Sequence, residues 1–213
     1  MRSRIRKLDE EKRKNLLDAA MDEISVNGLE GASYNRIIER SGLSKGVVYY
    51  YFENKESLYL TVLHEVERRF LTAVGKMRIP ESPGEFWPVC AAYYEGAMWF
   101  AASNLKTVNV VRRLLGPPLD VRQGDSASRP FRRVDRWMDR LLKRGQELGV
   151  IRGDVPRDLL RNIIHMTGHV MDSWLFDHLG ENSGSVKIEE FLAFAMDMYR
   201  RMLSPEGTGG RLC

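Results

Sequence analysis

Apolar residues along this chain recur at three- and four-residue intervals, and no alternation of apolar and polar residues runs long enough for a strand, so the pattern predicts an all-α protein. Leu16, Leu17, Ala20, Ile24 and Leu29 make the first apolar stripe, on a helix starting near Asp9 and stopped by Asn27-Gly28. Ser33 is placed to cap a short helix, Tyr34 to Arg40, closed by Ser41-Gly42, and Ser44 to cap another, Lys45 to Tyr51. Glu53-Asn54 breaks that one before a long helix from Lys55 to Met77. Ser82-Pro83-Gly84-Glu85 fits a capping box with proline at the first helical position, opening a second helical region. Its helices are expected over Pro83 to Ala102, Leu105 to Leu115, Pro130 to Leu148, Pro156 to Leu179 and Lys187 to Leu203. Between them lie a Gly- and Pro-rich stretch, Gly116 to Ser128, a turn at Gly149 to Asp154, and the polar Glu181 to Ser185. About nine helices result, with no internal repeat.

At 213 residues with 43% hydrophobic content, the chain has enough apolar material for a sizeable core in one or two domains. No apolar run approaches the ~18 residues of a membrane span, and the charged N-terminus is not followed by an apolar stretch, so no signal peptide is read and a cytoplasmic location is expected. Cys90 and Cys213 offer neither a disulfide framework nor metal-ligand spacing and are read as free thiols. Charge adds one thing. Met1 to Lys14 holds Arg2, Arg4, Arg6, Lys7, Lys12, Arg13 and Lys14 against Asp9, Glu10 and Glu11, an excess equal to the whole-chain net charge of +4. Such an arm, residues 1–8 at its core, can reach phosphates or a minor groove, or can simply be a solvated terminus.

Two helices of about seven residues, joined by Ser41-Gly42-Leu43 and preceded by a longer amphipathic helix, have the dimensions of a helix-turn-helix over residues 33–52. The second helix of that motif enters a major groove about 12 Å wide while the first crosses the backbone, which requires a tight joint. Gly42 can supply the positive φ it demands. Ile37, Ile38, Val48 and Phe52 are the apolar contacts that fix the angle, leaving Ser44, Lys45, Gly46, Val47, Tyr49 and Tyr50 outward.

From Asn15 to Leu58 the chain resembles the DNA-binding domain of the TetR (tetracycline repressor) family of transcription regulators. The family's glycine after helix one, Ser or Thr opening helix two, glycine turn, Ser-Lys-Gly-Thr-Leu-Tyr-Tyr-His-Phe-like run and Lys-Glu opening helix four have counterparts in Gly28, Ser33, Gly42, Ser44 to Phe52, and Lys55-Glu56. The resemblance implies that Ser33, Tyr34, Ser44, Tyr49, Tyr50 and Lys55 touch the sugar-phosphate backbone, and that Asn35, Lys45, Gly46 and Val47 face the bases. Asn35 could pair with adenine or equally cap its helix. Val47 stands where threonine is common, making a thymine methyl a plausible partner; Ile38 for alanine and Glu23-Ile24 for Leu-Phe imply local repacking. Tyr51, whose counterpart is often histidine, is open between DNA contact and packing. The implied organisation is a DNA-binding domain over 9–55, a ligand-binding and dimerisation domain over 56–204, and a tail over 205–213.

The second region carries no motif of its own. In the family, the last two helices pack against their mates in a homodimer. Here Leu159, Ile163, Met166, Val170 and Trp174 line one helix, and Ile188, Phe191, Leu192, Ala195, Met198 and Met202 the other, a pattern that a bundle within one chain would also show. Trp87, Trp99, Phe100, Trp137, Met138, Met166, His169 and Trp174 would surround a pocket for an apolar or aromatic effector, or form core. His165, His169 and Asp172 share a helix face and could ligate a metal, although no fourth group is identifiable; a satisfied polar cluster is the competing reading. Arg129, Arg132, Arg133, Arg136 and Arg140 make a solvated face or a site for an acidic effector. The reading is a homodimeric, ligand-released repressor of a palindromic operator, with no enzymatic role and no cofactor. Its rivals are a helix-turn-helix regulator without effector and a helical metal-binding protein.

Overall fold

The computed structural model describes residues 9–52, 54–115, 131–179 and 187–205. The basic arm 1–8, residue 53, the whole Gly116 to Ser128 stretch on to residue 130, residues 180–186 with the Glu181 to Ser185 connection, and residues 206–213 of the tail lie outside the described residues. Among the described residues there are nine helices and no strand: α1 (Glu10–Gly31), α2 (Tyr34–Ser41), α3 (Lys45–Tyr51), α4 (Lys55–Val74), α5 (Pro83–Ser103), α6 (Leu105–Leu115), α7 (Arg132–Glu147), α8 (Arg157–Leu179) and α9 (Ile188–Leu203). No helix among them is long and apolar enough to cross a membrane. The chain forms two compact units, one of Met1–Thr72 with Ser103–Pro130, the other of Ala73–Ala102 with Phe131–Cys213.

In the first unit α1 packs against α2 and α6. Leu16, Ile24, Ile37, Val48, Phe52, Leu58, Leu63 and Val110 are fully buried, so each of α1 through α4 and α6 contributes apolar side chains to the interior of this unit. A Lys106–Asp22 ion pair ties α6 to α1, and Arg69 on α4 donates to Asp18 of α1 at 2.8 Å. The predicted stop at Asn27-Gly28 is a kink: Gly28 leaves helical geometry at φ 67, ψ 179, while helical hydrogen bonding resumes to Gly31. At the start of α4, Asn54 Oδ1 accepts from the Ser57 amide at 2.8 Å while Ser57 Oγ accepts from the Asn54 amide at 3.3 Å, a reciprocal cap. α4 ends at Val74, short of the expected Met77, because Gly75 takes a left-handed φ of 69.

The second unit packs α7 on α8 and α8 on α9. Phe86, Trp137, Leu141, Leu142, Ile151, Leu160, Tyr199 and Leu203 form its main core, and Met98, Leu175, Phe191 and Ala195 a second cluster. At the start of α5 the Glu85 carboxylate accepts from the Glu81 amide at 3.0 Å, one residue outside the expected box. The apolar stripes of the last two helices split differently from expectation. On α9, Phe191 and Ala195 point into the core, while Phe194 and Met198 lie exposed beside them. Of the stripe read from sequence on α9, Phe191 and Ala195 are buried and Met198 is exposed, and Phe194 was not part of it. On α8, Leu160 and Leu175 are buried and Leu159, Met166, Val170 and Trp174 are exposed.

Candidate nucleic-acid interface

The helix-turn-helix is built by its caps. Ser33 holds extended backbone before α2, its Oγ accepting from the Arg36 amide at 3.5 Å, and Gly42 closes α2 at φ 66. Ser44 then caps α3, its Oγ accepting from the Val47 amide at 3.4 Å. Ile37, Val48 and Phe52 are fully buried and set the angle between the helices, with Ile38 half-buried. Two capped helices this short present one continuous outer surface. Asn35, Ser44, Lys45, Gly46, Tyr49 and Tyr50 are exposed on it, and Ser33, Tyr34, Val47 and Tyr51 are half-buried. The Lys55 side chain lies outside the described residues, although its backbone opens α4.

The tyrosines differ in their surroundings. Tyr49 stacks on Tyr34 with ring centroids 5.2 Å apart and planes 16° from parallel, and Lys45 Nζ lies 5.7 Å over the Tyr49 ring. The Tyr34 hydroxyl, which a phosphate contact would use, is buried without a hydrogen-bond partner, and burial pushes its phenol up to about 12. Tyr50 meets Tyr51 edge to face at 5.1 Å. A Cβ added at Gly46 would meet nothing within 4 Å, so nothing in the protein's own packing requires glycine there.

Glu23 was not singled out as a functional residue by its sequence position. Its side chain is wholly buried on α1, and its Oε1 accepts from Asn27 Nδ2 at 3.0 Å, the Ser33 amide at 3.1 Å, Arg36 Nε at 2.8 Å and Arg36 Nη2 at 2.5 Å. The Arg36 guanidinium holds the carboxyl below the usual carboxylate range. An acid flanked by Ala20 and Ile24 of the apolar stripe is the sequence signal that could have exposed it.

In the second unit, a cavity of about 340 Å³ is lined by Val74, Met77, Arg78, Pro88, Tyr93 and Trp137, among others. The Trp137 ring lies 4.3 Å from that of Tyr93, and its Nε1 donates to the Arg78 carbonyl at 2.8 Å. Of the eight residues expected around an effector, Trp137 alone lines this cavity, and Trp87 is half-buried outside it. Phe100, Met138 and His169 are half-buried elsewhere in the unit, and Trp99, Met166 and Trp174 are exposed. Asp172 accepts from the Tyr94 hydroxyl at 2.6 Å, and burial pushes its carboxyl up to about 6. His165 Nε2 is buried without a partner, and burial holds that imidazole below its ordinary value. Among the described residues no group of three or more His, Cys, Asp or Glu is placed to hold a metal ion. Arg132, Arg133, Arg136 and Arg140 are exposed; Arg129 lies outside the described residues.

The description "Bacterial regulatory proteins, tetR family" matches residues 16–62. The regulator RutR of Escherichia coli strain K12 is 42% identical over 72 residues, a match covering 34% of this chain and 34% of RutR, so the chain aligns with about a third of that relative. The repressor AcnR of Corynebacterium diphtheriae is 27% identical over 153 residues, covering 72% of this chain and 75% of AcnR. Among solved structures, a tetR family regulator from Shewanella superposes with a TM-score of 0.73 at 16% identity, covering 90% of this chain and 97% of that one. SmeT, the repressor of a Stenotrophomonas maltophilia multidrug efflux pump, gives 0.66 at 18% identity, covering 96% and 97%. SmeT has also been solved with triclosan.

Proposed function

This chain belongs to the tetR family of bacterial regulatory proteins, and from that premise we propose that it is a sequence-specific DNA-binding transcriptional repressor, acting as a homodimer on a palindromic operator. The observation that carries the reading is the exposed surface of α3, Ser44, Lys45, Gly46, Tyr49 and Tyr50, held at a fixed angle to α2 by the Gly42 turn and the buried Ile37, Val48 and Phe52. Ser33, Ser44, Tyr49, Tyr50 and Lys55 grip phosphates, with Tyr34 as the platform under Tyr49; Asn35, Lys45, Gly46 and Val47 face base edges. Gly46 lets the backbone approach the duplex, and the Val47 methyls suit a thymine methyl.

The homodimer forms through the outer faces of α8 and α9. Its two recognition helices then address half-sites about 34–36 Å apart. An apolar or aromatic effector releases the operator only by binding the released arrangement more tightly than the bound one. The triclosan complex of SmeT supports an apolar aromatic ligand class in this fold. The cavity lined by Tyr93 and Trp137 among the described residues offers aromatic surface to such a ligand.

Selection of bound duplexes from a random pool by the purified protein tests the reading. Enrichment of a palindrome with half-sites one helical turn apart is expected, with Lys45→Ala and Val47→Ala changing the enriched sequence. Tyr50→Phe and Lys55→Ala should weaken all duplexes alike, and Lys55→Ala should also flatten the salt dependence. A pool that stays random under selection would refute the proposal.

A further inference from the structure

The Glu23–Arg36 pair is unequal in what each partner needs. Glu23 is wholly buried, and a carboxylate cut off from water stays charged only if donors surround it. Four do so at Oε1, and only the two from Arg36 bring a full positive charge, while Oε2 has no partner at all. Arg36, by contrast, keeps 47% of its side chain in solvent and would be hydrated without any partner. The acid depends on the guanidinium; the guanidinium does not depend on the acid.

Position gives this imbalance a consequence. Arg36 lies on α2, three residues beyond Ser33 and two beyond Tyr34, near the start of the helix that crosses the phosphate backbone in a helix-turn-helix. A free guanidinium there would fork onto a phosphate, a contact that strengthens binding to every duplex equally. Two bonds to Glu23 and one from Nη2 to the Gly31 carbonyl at 3.1 Å hold its head back toward α1 instead. We propose that Glu23 is a specificity-determining residue that withholds Arg36 from the DNA backbone. Affinity at this end of the interface then rests on the capped start of α2 and on α3, where the duplex must fit, and not on a mobile cation that accepts any phosphate. Glu23 touches no DNA itself and acts as a positioning residue through Arg36. The inference rests on the DNA-binding reading above.

Glu23→Gln preserves shape and an acceptor for the Ser33 amide and Asn27 but removes the charge that restrains Arg36. Binding of the full-length dimer to its selected operator and to a random duplex is followed by fluorescence anisotropy across a salt series. The variant is expected to bind the random duplex about tenfold more tightly and to steepen the salt slope by about two per dimer, since each newly neutralised phosphate adds about 0.9. The ratio of operator to random affinity should shrink, and Glu23→Gln/Arg36→Met should restore both wild-type slope and wild-type random-duplex affinity. A purely architectural Glu23 would lower the thermal midpoint and leave slope and ratio unmoved, which overturns the proposal. A measurement on the unmodified protein is independent of how the variants fold: the Arg36 Nε–H resonance should stay protected and unshifted when operator is added. A phosphate-induced shift of that resonance would overturn it too. A wild-type protein that discriminates operator from random duplex while the variant's slope is unchanged removes this inference alone; a wild type that discriminates nothing removes the functional reading with it.

Discussion

Asp172 is a carboxyl that the second unit keeps from water, with the Tyr94 hydroxyl donating to it at 2.6 Å and burial raising it from 3.8 to about 6. A value raised on folding means that the stability of the protonated form is complete below about 3.8 and is lost as pH rises through about 6. At neutral pH the protein therefore carries the cost of a buried charge that a single hydroxyl only partly offsets. Asp172→Asn keeps an acceptor for Tyr94 without the charge. The variant should be more stable than wild type by about 1–3 kcal/mol at pH 7 and nearly equal to it at pH 3.5. Urea denaturation at the two pH values measures this, and an equal loss at both would mean that the carboxylate is needed for packing. His165 works in the opposite sense, because burial favours its neutral form and it opposes folding as pH falls. It is common to both proteins and cancels in the difference. The sequence placed Asp172 on one face with His165 and His169, but a shared face says nothing of what lies opposite. The hydroxyl that meets Asp172 comes from Tyr94, 78 positions away.

Gly42 and Gly46 sit on either side of the recognition-helix cap and owe their presence to different causes. Gly42 has φ 66 with nothing within 4 Å of an added Cβ, so Gly42→Ala meets no steric clash and still costs about 1–2 kcal/mol for the left-handed backbone. Gly46 has ordinary helical geometry and open space, so Gly46→Ala should leave stability unchanged or raise it by roughly 0.5 kcal/mol while weakening operator binding. Thermal melts beside anisotropy titrations separate the two, and Gly46→Ala binding like wild type would remove the close-approach role. Elements of this kind were legible because their signals are local: Ser33, Gly42, Ser44 and the apolar spacing of Ile37, Val48 and Phe52 lie within twenty residues. What was not legible depended on a partner far along the chain or on the choice between adjacent faces. Glu23 reads only as a departure that implies local repacking until Arg36 and the Ser33 amide fold onto it. Phe191 and Phe194 are equally apolar, and only the packing of α9 decides that the first is core and the second is exposed.

At the scale of the whole molecule, the outer face of α8 and α9 asks for a partner. Leu159, Met166, Val170 and Trp174 on α8, with Phe194 and Met198 on α9, are each at least 40% exposed, an apolar surface of the kind that soluble monomers rarely leave open. Val170, at 63% exposure, contributes least to its own unit's core. Val170→Glu should therefore preserve the monomer fold while placing two like charges across an isologous seam. Sedimentation is expected to show a monomer where wild type is a dimer, and the thermal midpoint of the variant should no longer depend on protein concentration. DNA binding carries the larger consequence. In a dimer the second half-site is engaged at the effective concentration fixed by the first, so separating the protomers should weaken operator binding by about 10²–10⁴-fold. Affinity for an isolated half-site should stay unchanged, because α2 and α3 belong to the other compact unit. A Val170→Glu protein that remains dimeric would move the interface elsewhere, and one that is monomeric yet binds the full operator as wild type does would show that the two half-sites are read independently.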